Sequence, residues 1–263
     1  MRKLPVLLAV AGLASLSAPA LAQDEASPRA NSKGPYVTAG VGGSWGSSPS
    51  TSYSSSGSAT LGGTRYNYNA TENGTQSLGG GIAADAGLGY DFGNNIRGEL
   101  TYVLNNYAIG TAAINGNIAW SGGGTSGNIP YSVNGSASGN INTNSVFVSG
   151  YYDLKPKSSK SKWTPYVGGG LGWTSVTVPT VPYSATVNIN GNSYGYTGTS
   201  SGGSASAFGY MAKLGVSYAV SKPADLFAEG VYQGNTSVNI NSVSYGALNS
   251  FSVRAGVRFR FGS

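Results

Sequence analysis

The C-terminal segment Phe251–Phe261 alternates between two kinds of side chain. Phe, Val and Ala occupy the odd positions, whereas Ser, Gly and three arginines occupy the even ones. Because successive side chains of a strand point to opposite faces, the pattern predicts a strand with one apolar and one cationic face. What each face contacts depends on the rest of the chain.

The N-terminus has the three parts of a secretory signal. Arg2 and Lys3 precede a mostly apolar stretch, and Ala20-Leu21-Ala22 forms a small-residue cleavage site. A transmembrane anchor is the alternative, but the apolar stretch is short and interrupted. The first two segments we expect are therefore a signal peptide over residues 1–22 and a linker over 23–34, with the folded domain over 35–263.

Composition excludes several classes of protein. The chain has no His and no Cys, which removes disulfides, Ser-His and Cys-His nucleophiles and the usual zinc sites. After residue 22, no stretch reaches the roughly 18–20 apolar residues of a membrane helix. The net charge is +6, but the lysines are scattered and the signal indicates export, so we expect no nucleic-acid partner. We also expect no enzyme activity, no cofactor and no metal.

Eight segments alternate with period two, and each is close to the roughly 9–11 residues with which a tilted strand crosses a bilayer. They are Tyr36–Trp45, Ile82–Phe92, Ile96–Tyr107, Ser145–Leu154, Thr164–Trp173, Phe208–Val220, Asp225–Gln233 and Phe251–Phe261. Their connections alternate between short turns, at residues 93–95, 155–162 and 221–224, and long polar loops, at 46–80, 108–144, 174–206 and 234–248. A β-sandwich would have no reason to sort its loops by length. The sequence therefore predicts an all-β fold, an eight-stranded antiparallel up-and-down transmembrane β-barrel with four long extracellular loops and short periplasmic turns. This outer-membrane barrel covers residues 35–263, and the linker over 23–34 is then periplasmic.

Aromatic residues support this topology, because barrels carry aromatic girdles at both membrane interfaces. With the N-terminus in the periplasm, the expected outer girdle is Trp45, Tyr107, Trp173, Phe208, Tyr210, Tyr232 and Phe251. The expected inner girdle is Phe92, Tyr152, Tyr218, Phe259 and Phe261.

Three segments resemble the small outer-membrane barrels of Gram-negative bacteria, the OmpA-like and opacity-type surface proteins. They are Gly34–Val37, Pro165–Gly172 and the closing Val253–Phe261. The resemblance covers nearly all of residues 35–263 and implies an outer-membrane location, with assembly by the outer-membrane machinery. Two features depart from the family pattern. Gly262-Ser263 follows the terminal aromatic residue, and no peptidoglycan-binding domain follows the barrel.

Strand phase directs eight charged side chains into the barrel. They are Asp85, Arg97, Glu99, Lys213, Glu229, Arg254, Arg258 and Arg260. An eight-stranded barrel is just wide enough for its side chains to fill, so these charges must be paired or hydrated. One interpretation is a plug of ion pairs in which Glu229 lies between Lys213 and Arg254 or Arg258, and Asp85 and Glu99 accompany Arg97. The other is a gate to a narrow anion-preferring path, because five bases outnumber three acids. Catalysis by the three carboxylates alone is disfavoured, since they lie away from the long loops.

The long loops are rich in Ser, Gly, Asn, Thr and Tyr and carry almost no charge. Asn115-Gly116 and Asn190-Gly191 suggest hairpins that reach above the membrane. Tyr with Ser, Gly and Asn is typical of binding loops, although polar loops are also simply soluble. The candidate recognition residues are Trp120, Tyr131, Tyr183, Tyr194, Tyr196 and Tyr245.

The sequence favours a structural and recognition or adhesion role through the extracellular loops. A small porin for water or small solutes is the alternative. The partners we expect are outer-membrane lipid, lipopolysaccharide, and a host or cell-surface protein or carbohydrate, and we expect the barrel to be a monomer.

Overall fold

A computed structural model describes residues 33–154 and 161–261, and the regular elements in these ranges are β-strands. The strands are β1 (Gly34–Gly46), β2 (Ser50–Leu61), β3 (Thr64–Leu78), β4 (Gly80–Asp91), β5 (Ile96–Gly122), β6 (Thr125–Ala137), β7 (Asn140–Asp153), β8 (Trp163–Val178), β9 (Val181–Ile189), β10 (Asn192–Ser200), β11 (Gly203–Ala219), β12 (Ala224–Asn235), β13 (Val238–Ile240), β14 (Val243–Tyr245) and β15 (Asn249–Arg260). No helix in these two ranges is long and apolar enough to span a membrane.

Eight strands close into an antiparallel barrel, as predicted. The ring runs β1-β4-β5-β7-β8-β11-β12-β15, and β15 pairs again with β1, with Val37 opposite Phe259 and Trp45 opposite Phe251. Closure removes the free edges whose backbone groups lipid could not hydrogen-bond. The eight predicted membrane segments all lie on these ring strands.

The two faces of the barrel differ as the alternation predicts. Val148, Leu171 and Leu214 point outward and are 69%, 60% and 65% exposed. Outward rings cluster at both ends of the strands, with Trp173 beside Phe208 at the outer end and Trp163 beside Tyr218 at the inner end. Two details of the predicted girdles are wrong. Tyr107 has the inward phase of its strand and is buried. Trp163 is exposed at the inner end but is absent from the predicted inner girdle.

Beyond the membrane, the strands continue as an extracellular wall. We use this name for β2, β3, residues 109–122 of β5, β6, β9, β10, β13 and β14. Hydrogen-bonded neighbours follow the order β13-β14-β2-β3-β5-β6-β9-β10, and every pair is antiparallel. The segments predicted to be long loops are therefore mostly regular sheet.

The turns of the wall lie where glycine or asparagine adopts positive φ. Asn190 and Gly191, with φ of 52° and 83°, form the predicted turn between β9 and β10. The hairpin predicted at Asn115-Gly116 is wrong, because both residues lie inside β5, where Gly116 pairs with Tyr131. The turn of that hairpin is formed by Gly123-Gly124, with φ of 57° and 78°.

Aromatic rings lie across from glycines throughout the wall. Tyr131 covers Gly116 so closely that a Cβ added to Gly116 would lie 2.1 Å from the ring. Four more pairs repeat the arrangement: Tyr68 with Gly57, Tyr66 with Gly122, Trp120 with Gly127, and Tyr183 with Gly198. Glycine weakens a strand because it has no side chain to pack, and a ring from the neighbouring strand supplies the missing contact.

Several predictions fall on residues outside the described ranges. The signal peptide, most of the linker, most of the turn at residues 155–162, and Gly262-Ser263 belong to this group. They remain predictions.

Candidate functional site

The barrel interior is filled from the inner end upward by layers of side chains. Nearest the inner end, Arg260 forms ion pairs with Asp225 and, at 3.8 Å, with Asp91. Arg258 approaches Asp225 at 3.7 Å. All four side chains are buried, so the inner end of the barrel is closed by paired charges.

The next layer is centred on Arg97, which is 0% exposed. Its Nη2 donates to Oδ1 of Asp153 at 2.8 Å, and its Nε donates to the same oxygen at 3.0 Å. Its guanidinium carbon lies 4.8 Å from the ring centroid of Tyr151 and 5.1 Å from that of Tyr166. The ion pair and the stacked rings together hold the arginine in one position.

Carboxylates and tyrosine hydroxyls form a network above Arg97. Glu99 accepts hydrogen bonds from Tyr36 at 3.0 Å, from Tyr151 at 3.1 Å and from Thr101 at 2.7 Å. Glu229 accepts one from Tyr166 at 2.8 Å. Buried carboxylates keep their charge at low cost only when such donors satisfy them, so this network rigidifies the lumen.

A second group of ion pairs joins the strands near mid-height. Nζ of Lys213 lies 3.0 Å from Oε1 of Glu229 and 3.9 Å from Oδ2 of Asp85. Arg254 donates from Nη1 to Oδ1 of Asp85 at 3.2 Å and from Nη2 to Oδ1 of Asn105 at 3.3 Å. Lys213 of β11 and Arg254 of β15 thus both pair with the carboxylate of Asp85 on β4.

The upper lumen is apolar and then polar. Val103, Phe147, Met211 and Val231 pack together above the ion pairs. Above them, Gln233 accepts a hydrogen bond from Asn105 and donates one to Ser145. Among the described residues, the upper lumen is thus crossed first by an apolar layer and then by a hydrogen-bonded one.

An apolar cluster closes the outer mouth. Its members come from the barrel rim and from the fourth extracellular connection: Ile141, Val176, Ala207, Val238 and Ile240. Val238 and Ile240, on β13, fold inward over the lumen and are each 5% exposed. The β13 part of the fourth connection therefore covers the outer mouth, while its turn at Asn241-Ser242 is exposed.

The structure places all eight charged residues of the predicted interior cluster in the lumen, but two pairings differ from those expected. Arg97 binds Asp153 rather than Asp85 or Glu99, and Arg254 binds Asp85 rather than Glu229. The predicted set of three interior acids omits Asp91, Asp153 and Asp225, which are also buried. The alternation of their strands already places them on the inward face. Among the described residues, six buried acids therefore face five buried bases. The argument for an anion-preferring path fails.

The six aromatic recognition candidates separate into two groups. Trp120 packs edge-on against Tyr66 at 5.8 Å, and Tyr131 donates a hydrogen bond to Glu72. Burial, and then that carboxylate, raise the pKa of Tyr131. Tyr183 covers a glycine, and Tyr245 packs against the mouth cluster.

The remaining two candidates are the most exposed of the six, although the ring of Tyr196 also packs against that of Tyr183, with centroids 6.0 Å apart. Tyr194 and Tyr196, both on β10, are 56% and 58% exposed. Tyr196 also borders a shallow open groove of about 690 Å³ whose other lining residues, from β5, β6, β9 and β10, are small or neutral. The most exposed rings among the six candidates therefore lie at this end of the wall.

The chain matches the family model described as surface antigen over residues 82–257. The chain belongs to the surface antigen family. The protein is an outer-membrane β-barrel, in agreement with its closed antiparallel barrel and exposed apolar belt. No curated protein sequence matches it.

The chain is also similar to several solved structures. Neisserial surface protein A is 20% identical, with 86% of this chain and 97% of that chain covered and a TM-score of 0.40. OprG from Pseudomonas aeruginosa is 12% identical, with 89% and 99% covered and a TM-score of 0.42. Ail of Yersinia pestis, solved with a heparin analogue, is 12% identical, with 86% and 99% covered and a TM-score of 0.32.

Proposed function

We propose that this surface antigen is a recognition protein, in which a sealed barrel holds a stiff extracellular wall outside the cell for adhesion to a protein or carbohydrate surface. The observation that carries the proposal is the contrast between the two halves of the molecule. The lumen is filled and lidded, whereas the strands extend far beyond the membrane as regular sheet. A transport protein needs the opposite arrangement.

The chemistry of the wall supports contact recognition rather than long-range attraction. Arg65 and Glu72 are the only charges in residues 50–61, 64–78, 109–137, 181–200 and 238–245. Glu72 is already bonded to Tyr131. Binding therefore depends on rings, hydroxyls and backbone groups, and its affinity should change little with salt.

A narrow water path is the second candidate function. Buried Ser149 Oγ, Arg258 Nε and Arg260 Nε have no hydrogen-bond partner among the described residues. Water would satisfy such atoms, so the charged layers support some hydration of the lumen. Such a path requires these waters to be continuous through the charged layers.

The test combines adhesion with conductance. Cells displaying the protein are presented to immobilised proteins, glycans and host cells at low and moderate salt. The Tyr194→Ser/Tyr196→Ser variant should lose at least tenfold in binding, whereas Tyr152→Ser, which removes an exposed ring at the membrane, should bind as the unmodified chain does. Purified protein in planar bilayers should show no steady conductance. Stable openings without adhesion would overturn the proposal in favour of a pore.

A further inference from the structure

The extracellular wall is interrupted above two strands of the barrel. In the ring, β12 and β15 lie between β11 and β1. Above them the chain forms only β13 and β14, with 3 residues each, whereas β10 and β2 on either side have 9 and 12. At about 3.3 Å per residue, this difference leaves a notch roughly 20–30 Å deep. The notch is bounded by β10 on one side and by residues 53–61 of β2 on the other.

The floor of the notch shows how wide it is. β14 pairs with Thr51 and Ser52 of β2, and the amide of Gly246 donates to the carbonyl of Ser50 at 2.8 Å. On the opposite side, the side-chain amide of Asn241 donates to the carbonyl oxygens of Ser201 and Gly202, at 3.1 and 3.0 Å. A two-stranded hairpin therefore spans the gap, and the space above it has the width of two strands.

Both sides of the notch are free strand edges. Within the described residues, β10 forms a ladder only with β9, and residues 53–61 form one only with β3. Natural sheets protect such edges with charges, prolines or bulges. β2 and β10 contain neither a charged residue nor a proline, and both ladders are regular in register. All of β10 except Gly198 is exposed.

The chain directions of the two edges determine what fits between them. β2 runs away from the membrane and β10 runs back toward it. A single added strand would be antiparallel to one edge and parallel to the other. Two added strands, one up and one down, can be antiparallel to both edges, as all other pairs of this sheet are.

We propose that the notch is a docking site for a β-hairpin of a partner protein, which adds one strand to β10 and one to β2 and completes the wall. The inference rests on the proposed recognition function and deepens it, because it names an uncharged polypeptide hairpin as the ligand. Main-chain hydrogen bonds supply the affinity in such strand addition. The neighbouring strands β2 and β10 carry no charge, so a charged hairpin would find no opposite charge across the new pairs, and an uncharged one fits at least as well.

The probe is a synthetic peptide with the sequence of residues 181–200, a neutral hairpin with its own Asn190-Gly191 turn. Fluorescently labelled peptide is titrated onto the full chain in lipid nanodiscs. In the filled variant, residues 184–197 are inserted in place of the Asn241-Ser242 turn, which lengthens both floor strands into the notch. In the control, the same segment replaces the Gly62-Gly63 turn and leaves the notch open.

We expect saturable binding to the unmodified chain and to the control, and a loss of at least tenfold in the filled variant. Hydrogen exchange should slow in β10 and in residues 53–61 on binding. No binding at millimolar peptide, equal binding to the filled variant, or protection at another strand would each overturn the inference. If the filled variant still adheres to the surfaces that the unmodified chain binds, this inference fails while the proposed function stands. Absence of adhesion together with steady conductance would refute the proposed function itself.

Discussion

Replacing Arg97 with methionine tests whether the lumen is a dry, charge-paired core. The guanidinium is fully buried, and Asp153, its partner at 2.8 Å, has a side chain only 7% exposed. Methionine has a similar length and keeps much of the packing against Tyr151, so the main loss is the positive charge. An uncompensated buried carboxylate costs about 3–5 kcal/mol, and we expect Arg97→Met to lower the free energy of unfolding by that amount.

The double variant Arg97→Met/Asp153→Leu provides the control, because it removes both charges. Replacing a whole buried pair by apolar groups is often neutral or stabilising, so the double variant should be more stable than Arg97→Met alone. Urea unfolding in lipid vesicles, followed by tryptophan fluorescence, measures both. A single-variant loss below about 1 kcal/mol would refute the reasoning and indicate a well-hydrated lumen. Additive losses in the double variant would refute it equally, since the two charges would then be uncoupled.

Two further predictions concern backbone approach and pH. Gly42→Ala should destabilise the barrel strongly, because the added Cβ would lie 1.8 Å from the carbonyl oxygen of Val253 on the closing strand. Gly150→Ala meets open space and should be nearly neutral. Urea unfolding of both variants distinguishes them. The raised pKa of Tyr131 means that its contribution to stability is complete below its ordinary pKa of about 10 and is lost as pH rises toward the folded value. Unfolding measured from pH 8 to 12 should show this loss in the unmodified chain and a smaller one in Tyr131→Phe, and identical profiles would contradict the assignment.

The membrane-spanning part could be predicted from the sequence because the two faces of its strands lie in very different environments. Lipid outside and a packed polar lumen inside impose a period of two on each strand, as in Phe251–Phe261. The same phase places Asp91 and Asp225 inside, so the full set of interior charges was within reach of the sequence. The ion-pair partners of these charges could not be predicted from the sequence. Which carboxylate Arg97 selects depends on strand stagger and on the reach of its side chain, and neither leaves a mark in the alternation.

The extracellular part was harder to predict, because both of its faces meet water or other polar strands. No face then requires apolar residues, and Ser, Gly and Asn normally indicate loops. The Asn115-Gly116 error has this origin, since a turn dipeptide lies in the middle of a 27-residue strand. The mouth cluster was missed for a related reason. Val238 and Ile240 are short of any strong apolar run, since Ser237, Asn239 and Asn241 flank them, and their inward direction becomes apparent only when β13 is placed against the rim.

Rings paired with glycines explain how a sequence of this composition still forms sheet. Glycine lowers strand stability, yet Tyr131, Tyr68 and Tyr183 each cover a glycine on the adjacent strand and bury part of their own ring there. A sheet built in this way is already ordered before it meets a partner. The hairpin docking proposed above would then cost less conformational entropy than ordering a flexible loop. The exposed Tyr194 and Tyr196 lie on the strand that borders the notch, so rings and free backbone groups are presented together at the same edge of the wall.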